Sequence, residues 1–475
     1  MSLTSIDYLV IAAYLVAITL FGSWFAKFQK TTRDYLLADR SVPWWAICFT
    51  VVATETSTLS FIGVPAQAYA GNMTFLQLAL GYIIGRVIVS ALFIPAYFRG
   101  ELVTSYELLN RRFGPEVKTV ASVIFLITRS LADGIRLFAT ALVIAVVTGV
   151  PVTWTVILLG TAMIIYTVRG GAAAVIWTDV IQMFVYLAGA IVVFVSLLDR
   201  IPGGWATVAS SAAAAGKFAV LNLSTDPNVT YTLWAGLVGG VALTLATHGT
   251  DQFLVQRLLA ARSSREAGLG LVLSGFVVFA QFALFLVIGV MLFTYYQHTP
   301  APAMTSNDEI LPLFIINTLH GGAAGFIVAA IVAAALSPSL NAMAAVTAND
   351  LYKKFVRPDA DDATLLRVAR RATIGWGIVQ LAVAIGAQWI RSVLDAGLSV
   401  LSLAAGPVLG AFLVGTLTRR VGTRAMLTGM LAGVAVLTWV RWTNATAWTW
   451  YAFIGASVTA VVALVAGLAG GRRNE

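Results

Sequence analysis

The stretch from residue 44 to residue 70 constrains the fold more than any other part of the chain, and it reads WWAICFTVVATETSTLSFIGVPAQAYA. Both of its ends resemble a membrane span, but Glu55 lies in the middle among five threonines and serines, and Gly63 and Pro65 follow. A carboxylate at the bilayer centre costs roughly 2.5 to 3.5 kcal/mol on insertion scales, so it normally faces a bundle interior or a water-filled cavity. Hydroxyl groups beside helix-weakening residues favour a helix that unwinds and turns its carbonyl groups toward a polar ligand. We therefore expect a discontinuous helix that is unwound between about Ala53 and Ser57 and binds an ion and a solute.

The composition is that of a polytopic membrane protein. Of the 475 residues, 59% are hydrophobic and only 11% are charged. Apolar runs of about 20 residues, the length that crosses a bilayer, recur from end to end. The net charge of +9 comes from basic residues in short loops rather than from one patch, which indicates membrane topology and not a nucleic-acid partner. The single cysteine, Cys48, excludes a disulfide framework and a CxxC metal site.

Thirteen spans are predicted. Most lysines and arginines fall in the loops that follow odd-numbered spans, whereas the opposite loops hold only Arg200, Lys217, Arg391 and Arg441. The positive-inside rule then places the N-terminus outside and the C-terminus in the cytoplasm of a multi-pass protein in the inner (plasma) membrane. The predicted spans lie at about 6–26, 42–70, 75–98, 119–148, 152–168, 172–198, 231–255, 267–296, 321–352, 372–390, 395–417, 425–440 and 447–470.

The order of the spans indicates an inverted repeat. Spans 2 to 6 and 7 to 11 form two blocks of five, and an odd number of spans reverses the direction of the second block. We expect a single transporter domain over residues 1–475, in which 6–26 is a leading helix and 425–470 are two trailing helices. The first repeat would cover 42–198 and the second 231–417.

Three arginines, Arg86, Arg129 and Arg136, lie inside predicted spans. Arg129 precedes Asp133 by four residues and Arg136 follows it by three, so all three share one helical face. This group is either an internally neutralised cluster that holds helices together or a surplus positive charge that recognises an anionic solute. Arg86 either serves the same purpose or pairs with Glu55. The residues alone leave these alternatives open.

Other polar residues within spans have a structural and a functional interpretation. Asp179, in IWTDVIQM, is either a solvated interfacial residue or a functional carboxylate. A lone histidine such as His248 is more often structural than functional. In the ninth span, Pro338 removes a backbone donor, and the adjacent Ser337 either satisfies the disturbed backbone or lines a path.

Five segments resemble the sodium/solute symporter family, which includes sodium/proline, sodium/galactose and sodium/sialic acid carriers. They are spread from span 2 to span 11 in the order of the family. The segments are ATETSTLSFIGVPAQAY, GGAAAVIWTDVIQ, HGTDQFLVQRLLAARS, SLNAMAAVTANDLY and DAGLSVLSLAAGPVLGAFLVGTLTRR. The resemblance implies an all-α, leucine-transporter-like fold with a five-plus-five inverted repeat, one leading helix and two trailing helices.

The resemblance also implies a solute site. Its members would come from the first, second and sixth helices of the repeats, and to them we add the three arginines within spans. The candidate solute-binding residues are Glu55, Ser57, Ser60, Tyr82, Arg86, Arg129, Arg136, Thr244 and His248.

The common sodium site of the family corresponds to the carbonyl groups of Ala53, Thr56 and Ile331 and to two hydroxyl ligands at positions 334 and 335. This chain has alanine at both hydroxyl positions. A hard cation such as sodium requires several oxygen ligands, so two methyl groups should weaken this site.

Two other residues offer a route for coupling. Some family members have a second sodium site, and there Asp179 matches an aspartate ligand and Ser337 a serine ligand. Glu55 is the alternative, as a buried carboxylate that accepts a proton. The coupling ion is therefore expected to be sodium, with a proton as the alternative.

These features together predict a secondary active symporter that takes up a small polar organic solute, a carboxylate or an amino acid, by alternating access. The alternatives are a proton-coupled or sodium-independent carrier of the same fold, and a vestigial transporter that acts as a solute sensor. An enzyme is not expected, because the scattered His248, His298 and His320 supply neither a nucleophile with a base nor a metal cluster. The expected partners are the solute and the lipid bilayer, with no nucleic acid and no evident obligate protein partner.

Overall fold

A computed structural model describes residues 4–99, 102–304, 306–319, 321–335, 339–389 and 393–471. Helices make up nearly all of this part of the chain, and no strand occurs within the described ranges. The nearest approach to one is an isolated bridge between Val42 and Ala261. The expected all-α fold is therefore confirmed.

Twenty-one α-helices follow one another in the described ranges, together with two π-helices at Ala235–Gly240 and Thr347–Tyr352. The α-helices are α1 (Ser5–Trp24), α2 (Thr32–Leu37), α3 (Trp44–Glu55), α4 (Thr58–Ala70), α5 (Leu76–Leu92), α6 (Ile94–Phe98), α7 (Glu107–Phe113), α8 (Pro115–Thr148), α9 (Val152–Arg200), α10 (Gly204–Ala214), α11 (Val241–Gly249), α12 (Gln252–Leu259), α13 (Ser264–His298), α14 (Ile310–Thr318), α15 (Ala323–Ala335), α16 (Leu340–Val346), α17 (Lys353–Phe355), α18 (Asp362–Gly386), α19 (Val393–Leu417), α20 (Thr423–Thr443) and α21 (Tyr451–Gly471).

Seven helical stretches of the described chain are long and apolar enough to cross a membrane by themselves, and the bent pair α3–α4 makes an eighth. The 34-residue α8 is also long enough, but its middle carries Arg129, Asp133 and Arg136. Because charges in a membrane helix face the bundle interior, this helix belongs at the centre of the protein. The count of thirteen spans stays a prediction.

The 49-residue α9 contains two of the predicted spans. At 1.5 Å per residue it is about twice as long as a bilayer is thick. Its path changes at Gly171, whose backbone angles (φ 58°, ψ −152°) are open only to glycine. A Cβ atom there would also meet the carbonyl oxygen of Tyr35 at 2.5 Å. The sequence predicted a break between residues 168 and 172, and the structure has a single glycine kink instead of a loop.

The broken helix α3–α4 lies at the centre of the helix packing. α13 packs against α3, α4 and α5, while α9 packs against α3 and α8 against α4. At the periphery, α1 packs on α9, and α20 and α21 pack on each other and on α19. The interrupted helix is thus enclosed by other helices, as an unwound segment at membrane depth must be.

Two large apolar clusters fill the interior, and the broken helix contributes to both. Val51 of α3 belongs to one cluster, which also contains Phe93 and Phe412. Phe61 of α4 belongs to the other, where its ring contacts Phe285 at a centroid distance of 5.3 Å. Residues on both sides of the junction of α3 and α4 belong to this second cluster, so the polar residues at the junction lie beside it.

α5 contacts the π-helix at Ala235–Gly240 through glycines. A Cβ atom on Gly81 would collide with the carbonyl oxygen of Gly236 and would lie 3.1 Å from the Cα atom of Gly240. The partner atoms are backbone atoms, which cannot move aside by changing a rotamer. Glycine is therefore required at this contact, as it commonly is where membrane helices approach closely.

We expect Gly81→Ala to destabilise the protein by about 1 to 3 kcal/mol, the scale of overpacking a close contact. Thermal unfolding of the purified protein in detergent would measure the change. Gly375→Ala is the matched control, because a Cβ atom at Gly375 in α18 meets nothing within 4 Å. Alanine is a better helix former than glycine, so the control should be neutral or stabilising. Equal melting temperatures for the two variants would contradict the contact.

Candidate functional site

The broken span is interrupted at Thr56 and Ser57. α3 ends at Glu55, and the next residue, Thr56, is extended (φ −74°, ψ 122°). Ser57 is extended too (φ −120°, ψ 169°), and its hydroxyl oxygen accepts a hydrogen bond from the amide of Ser60 at 3.3 Å. Because this cap starts α4 at once, only two residues are unwound, and the two halves are bent by 62°. We expected unwinding from about Ala53, so that boundary was wrong.

A cavity of about 550 Å³ opens beside this break. Its volume is in the range of small-molecule sites, roughly 300 to 1,000 Å³. All the candidate solute-binding residues except Arg86 line it, and Arg86 contacts Glu55 from α5. The lining candidates are Glu55, Ser57, Ser60, Tyr82, Arg129, Arg136, Thr244 and His248. The structure thus brings the candidates together, and their part in binding stays a prediction.

The cavity has lining residues that the sequence did not single out. They include the segment Ser306 to Asp308, Trp448 and Asp251. Asp251 belongs to the GTDQ stretch, which matters in the sequence only as part of a family motif. The segment Ser306 to Asp308 lies outside the long helices, where hydrophobic periodicity gives no signal, and Trp448 begins the last apolar stretch.

Glu55 is paired with Arg86. The Nη2 atom of Arg86 donates to the carboxylate of Glu55 and lies 3.2 Å from Nε2 of His248. The hydroxyl of Thr247 donates to the carbonyl of Leu243, so it accepts from Nδ1–H of His248. This assigns His248 as the neutral tautomer, with Nε2 accepting from Arg86. Of the two interpretations of Arg86, the structure favours the pair with Glu55.

Arg129 is held between two carboxylates. It donates to Asp251 of the segment between α11 and α12, and its Nη1 lies 3.5 Å from Oδ1 of Asp133 on its own helix. Its guanidinium carbon also lies 4.5 Å from the ring centroid of Phe253. These contacts favour the structural interpretation of Arg129, as a residue that holds α8 against the start of α12.

Arg136, two turns further along α8, faces the helix break. Its Nη2 atom donates to the carbonyl oxygen of Thr56 at 3.3 Å. The hydroxyl of Thr56 accepts from Nε2 of Gln281 at 2.7 Å. The hydroxyl of Tyr186 on α9 also donates to it at 3.3 Å, so the unwound segment receives donors from three neighbouring helices, α8, α9 and α13.

The three arginines around the break are outnumbered by the carboxylates that line the cavity in the described chain. The arginines are Arg86, Arg129 and Arg136, and the carboxylates are Glu55, Asp133, Asp251 and Asp308. A surplus of positive charge was one of the two interpretations of the arginine cluster, and these contacts do not support it. Recognition of an anion here depends on the position of a guanidinium and not on net charge.

Asp179 of α9 is fully buried, so the interpretation as a solvated interfacial residue was wrong. Its Oδ2 atom accepts from the hydroxyl of Thr50 at 2.6 Å and from Nη2 of Arg257 at 3.1 Å. Ser337, the other residue expected at a second sodium site, lies outside the described residues. That site stays a prediction.

The carbonyl groups expected at the common sodium site lie near one another. The hydroxyl of Thr58 at the start of α4 donates to the carbonyl oxygen of Ile331 on α15 at 3.2 Å. Ala53 lies in the last turn of α3, just before Thr56. The last carbonyl groups of a helix have no partner within the helix, and they are the groups that bind cations in broken transporter helices.

A broken membrane helix, enclosed by other helices and lying beside a cavity of solute size, defines a secondary transporter. The family model for the sodium:solute symporter family matches residues 35–433. The chain belongs to the sodium:solute symporter family and is a sodium-coupled symporter that takes up a small solute. Its relatives are transporters and not enzymes.

Curated relatives cover nearly the whole chain. The sodium/sialic acid symporter NanT of Aliivibrio fischeri is 32% identical over 97% of this chain and 92% of its own length. The sodium/sialic acid symporter SiaT of Proteus mirabilis is 30% identical over 96% and 94%. The sodium-dependent multivitamin transporter of Oryctolagus cuniculus is 31% identical over 92% of this chain and 70% of its own length.

Solved structures agree on the fold. A sodium-coupled sialic acid symporter in a substrate-bound, outward-open state superposes with a TM-score of 0.91, with 28% identity over 98% of each chain. The nucleobase–cation symporter Mhp1 superposes with a TM-score of 0.59 at 14% identity, over 91% of this chain and 93% of its own. The expected leucine-transporter-like fold is therefore confirmed.

Glu55→Gln should leave the buried Arg86 charge without its partner and destabilise the protein by about 3 to 5 kcal/mol. The Nε and Nη1 atoms of Arg86 have no hydrogen-bond partner among the described residues, so the neutral His248 is the contact that remains and it supplies no counter-charge. Glu55→Gln combined with Arg86→Met should recover part of the loss, because it removes both charges. A double-mutant cycle from denaturation midpoints would test this, and additive effects of the two changes would contradict the pair.

Proposed function

We propose that the transported solute is a polyhydroxylated carboxylate, a sugar acid of the sialic acid kind. The observation that carries the proposal is the cavity at the helix break, where hydroxyl side chains and the guanidinium of Arg136 line one space. Hydroxyl and carboxylate side chains suit the hydroxyl groups of a sugar, and a guanidinium suits a carboxylate. At about 550 Å³ the cavity is large enough for a solute of that size.

Thr244, another residue that lines the cavity, favours a polar solute. Its side chain is buried and lines the cavity, yet its hydroxyl has no hydrogen-bond partner within the described part of the chain. Buried hydroxyl groups are normally satisfied, so this one is explained by a partner that enters the cavity. A hydroxyl group of the solute meets that need.

Arg136 is the candidate for the carboxylate of the solute. Arg86 and Arg129 are engaged by Glu55 and Asp251. A guanidinium has five N–H groups, so Arg136 can donate to Thr56 and still bind a solute. Two relatives that match over 96% or more of this chain are sodium/sialic acid symporters, and another is a sodium-coupled monocarboxylate transporter, whose solutes are also acids.

We also propose an orientation of the protein in the membrane and bounds for its two repeats. The distribution of basic loop residues supports an N-terminus outside and a C-terminus in the cytoplasm, in the inner (plasma) membrane. The first inverted repeat would cover residues 42–198 and the second 231–417, between a leading helix at 6–26 and trailing helices at 425–470. Cysteine labelling from each side of the membrane, in a Cys48→Ala background, would test the orientation.

A thermal-shift screen of the purified protein tests the solute class. Sialic acid in the presence of sodium should raise the melting temperature, because a ligand at 100 times its Kd stabilises by about 2.7 kcal/mol. The methyl ester of sialic acid is the matched control, since it keeps the hydroxyl groups and lacks the charge. Equal shifts with acid and ester would contradict recognition of a carboxylate. A shift with simple monocarboxylates alone would overturn the sugar-acid proposal.

Arg136→Gln should weaken solute binding by about 1.5 to 3 kcal/mol, the scale of a charge-assisted hydrogen bond, and so by roughly tenfold or more. Uptake into proteoliposomes would measure the half-saturating solute concentration. Arg129→Gln is the control, because it leaves Asp251 and Asp133 without their partner and should reduce the yield of folded protein instead. Unchanged half-saturation in well-folded Arg136→Gln would remove Arg136 from the solute site.

A further inference from the structure

At the expected position of the family's common sodium site, side chains of the protein donate hydrogen bonds to the carbonyl groups. The carbonyl oxygen of Thr56 accepts from Nη2 of Arg136 at 3.3 Å. The carbonyl oxygen of Ile331 accepts from the hydroxyl of Thr58 at 3.2 Å, and that hydroxyl oxygen accepts from Thr140 at 2.9 Å. Both carbonyl groups therefore already have a donor.

Two of the three donors, Arg136 and Thr140, come from α8, and the third, Thr58, belongs to α4. Arg136 and Thr140 are one turn apart on α8, so they share the face that meets the break. One contacts the end of α3 through Thr56, and the other contacts the start of α4 through Thr58. α8 therefore joins the two halves of the broken helix to each other and, through Thr58, to α15.

A sodium ion fits these residues poorly. A hard cation needs several oxygen ligands, and the guanidinium at the carbonyl of Thr56 is a like charge that repels it. The two hydroxyl ligands of the family's site are also missing, because the sequence has alanine at positions 334 and 335. The end of α3 nevertheless favours a positive charge, because a helix C-terminus carries a partial negative charge.

We propose that the guanidinium of Arg136 is a built-in cation that takes the place of the sodium ion at this helix break. It satisfies the carbonyl of Thr56 and complements the end of α3 without a ligand that must bind and leave. The sodium ion that drives transport then binds at another site. The proposal stands on the contacts of the break and does not depend on the identity of the solute.

Direct binding of radioactive sodium to the purified protein, without any solute, tests the proposal. Arg136→Gln combined with Ala334→Ser and Ala335→Ser should bind one sodium ion more per molecule than the wild type, since the cation is removed and hydroxyl ligands are supplied. Ala334→Ser with Ala335→Ser alone should bind the same number as the wild type, because Arg136 still fills the place. A gain in that double variant, or no gain in the triple variant, would overturn the proposal.

Two matched variants test whether the gain of sodium depends on the charge at position 136 and on the positions of the added hydroxyl groups. Arg136→Lys with both serines keeps a positive charge at position 136, so it should gain no sodium ion. Arg136→Gln with Ala333→Ser adds a hydroxyl on a different face of α15 and should gain none either. Binding of an additional sodium ion by either variant would contradict the assignment of Arg136 as the built-in cation.

Stability gives a second measurement in case the triple variant folds poorly. Its melting temperature in membranes should rise with sodium but not with the same concentration of potassium, while the wild type should lack this additional rise. An equal response of both proteins to sodium counts against the proposal. Because no solute is present, failure of the sugar-acid proposal leaves these results unchanged, and failure here leaves the thermal-shift screen unchanged.

Discussion

Backbone groups at membrane depth must find hydrogen-bond partners inside the protein, and this requirement organises the structure around Thr56 and Ser57. An unbroken helix satisfies its own backbone, whereas a break exposes carbonyl groups to their surroundings. Arg136 and Gln281 reach this two-residue segment from two different helices. The residues that enclose the break are consequently polar, although the interior around them is apolar.

The buried charges likewise have partners inside the protein. Each arginine near the break could be placed there only because a carboxylate or a carbonyl meets it, since removing the partner of a buried charge is strongly destabilising. Glu55 meets Arg86, Asp251 meets Arg129 and Asp179 meets Arg257. These pairs link different helices, so they also fix how the helices are arranged around the cavity.

The sequence predicted the broken helix because a carboxylate, hydroxyl groups, glycine and proline within one apolar stretch have no other good explanation. It could not predict that the break is only two residues long, because that depends on the local cap made by Ser57. From their spacing, the sequence predicted that Arg129 and Asp133 share one face of a helix. The partner of Arg129 across the bundle, Asp251, is 122 residues away and belongs to no periodic pattern. Pairs of this kind arise from tertiary packing, which spacing along one helix does not contain.

The glycine contact between α5 and the π-helix at Ala235–Gly240 has a consequence for the shape of the cavity. Gly81, Gly236 and Gly240 bring the backbones of the two helices into direct contact, because glycine has no Cβ atom to hold them apart. Tyr82 follows Gly81 on α5, while Thr244 lies on α11, which continues the π-helix. Both residues line the cavity. The glycines therefore set how closely two walls of the cavity approach each other.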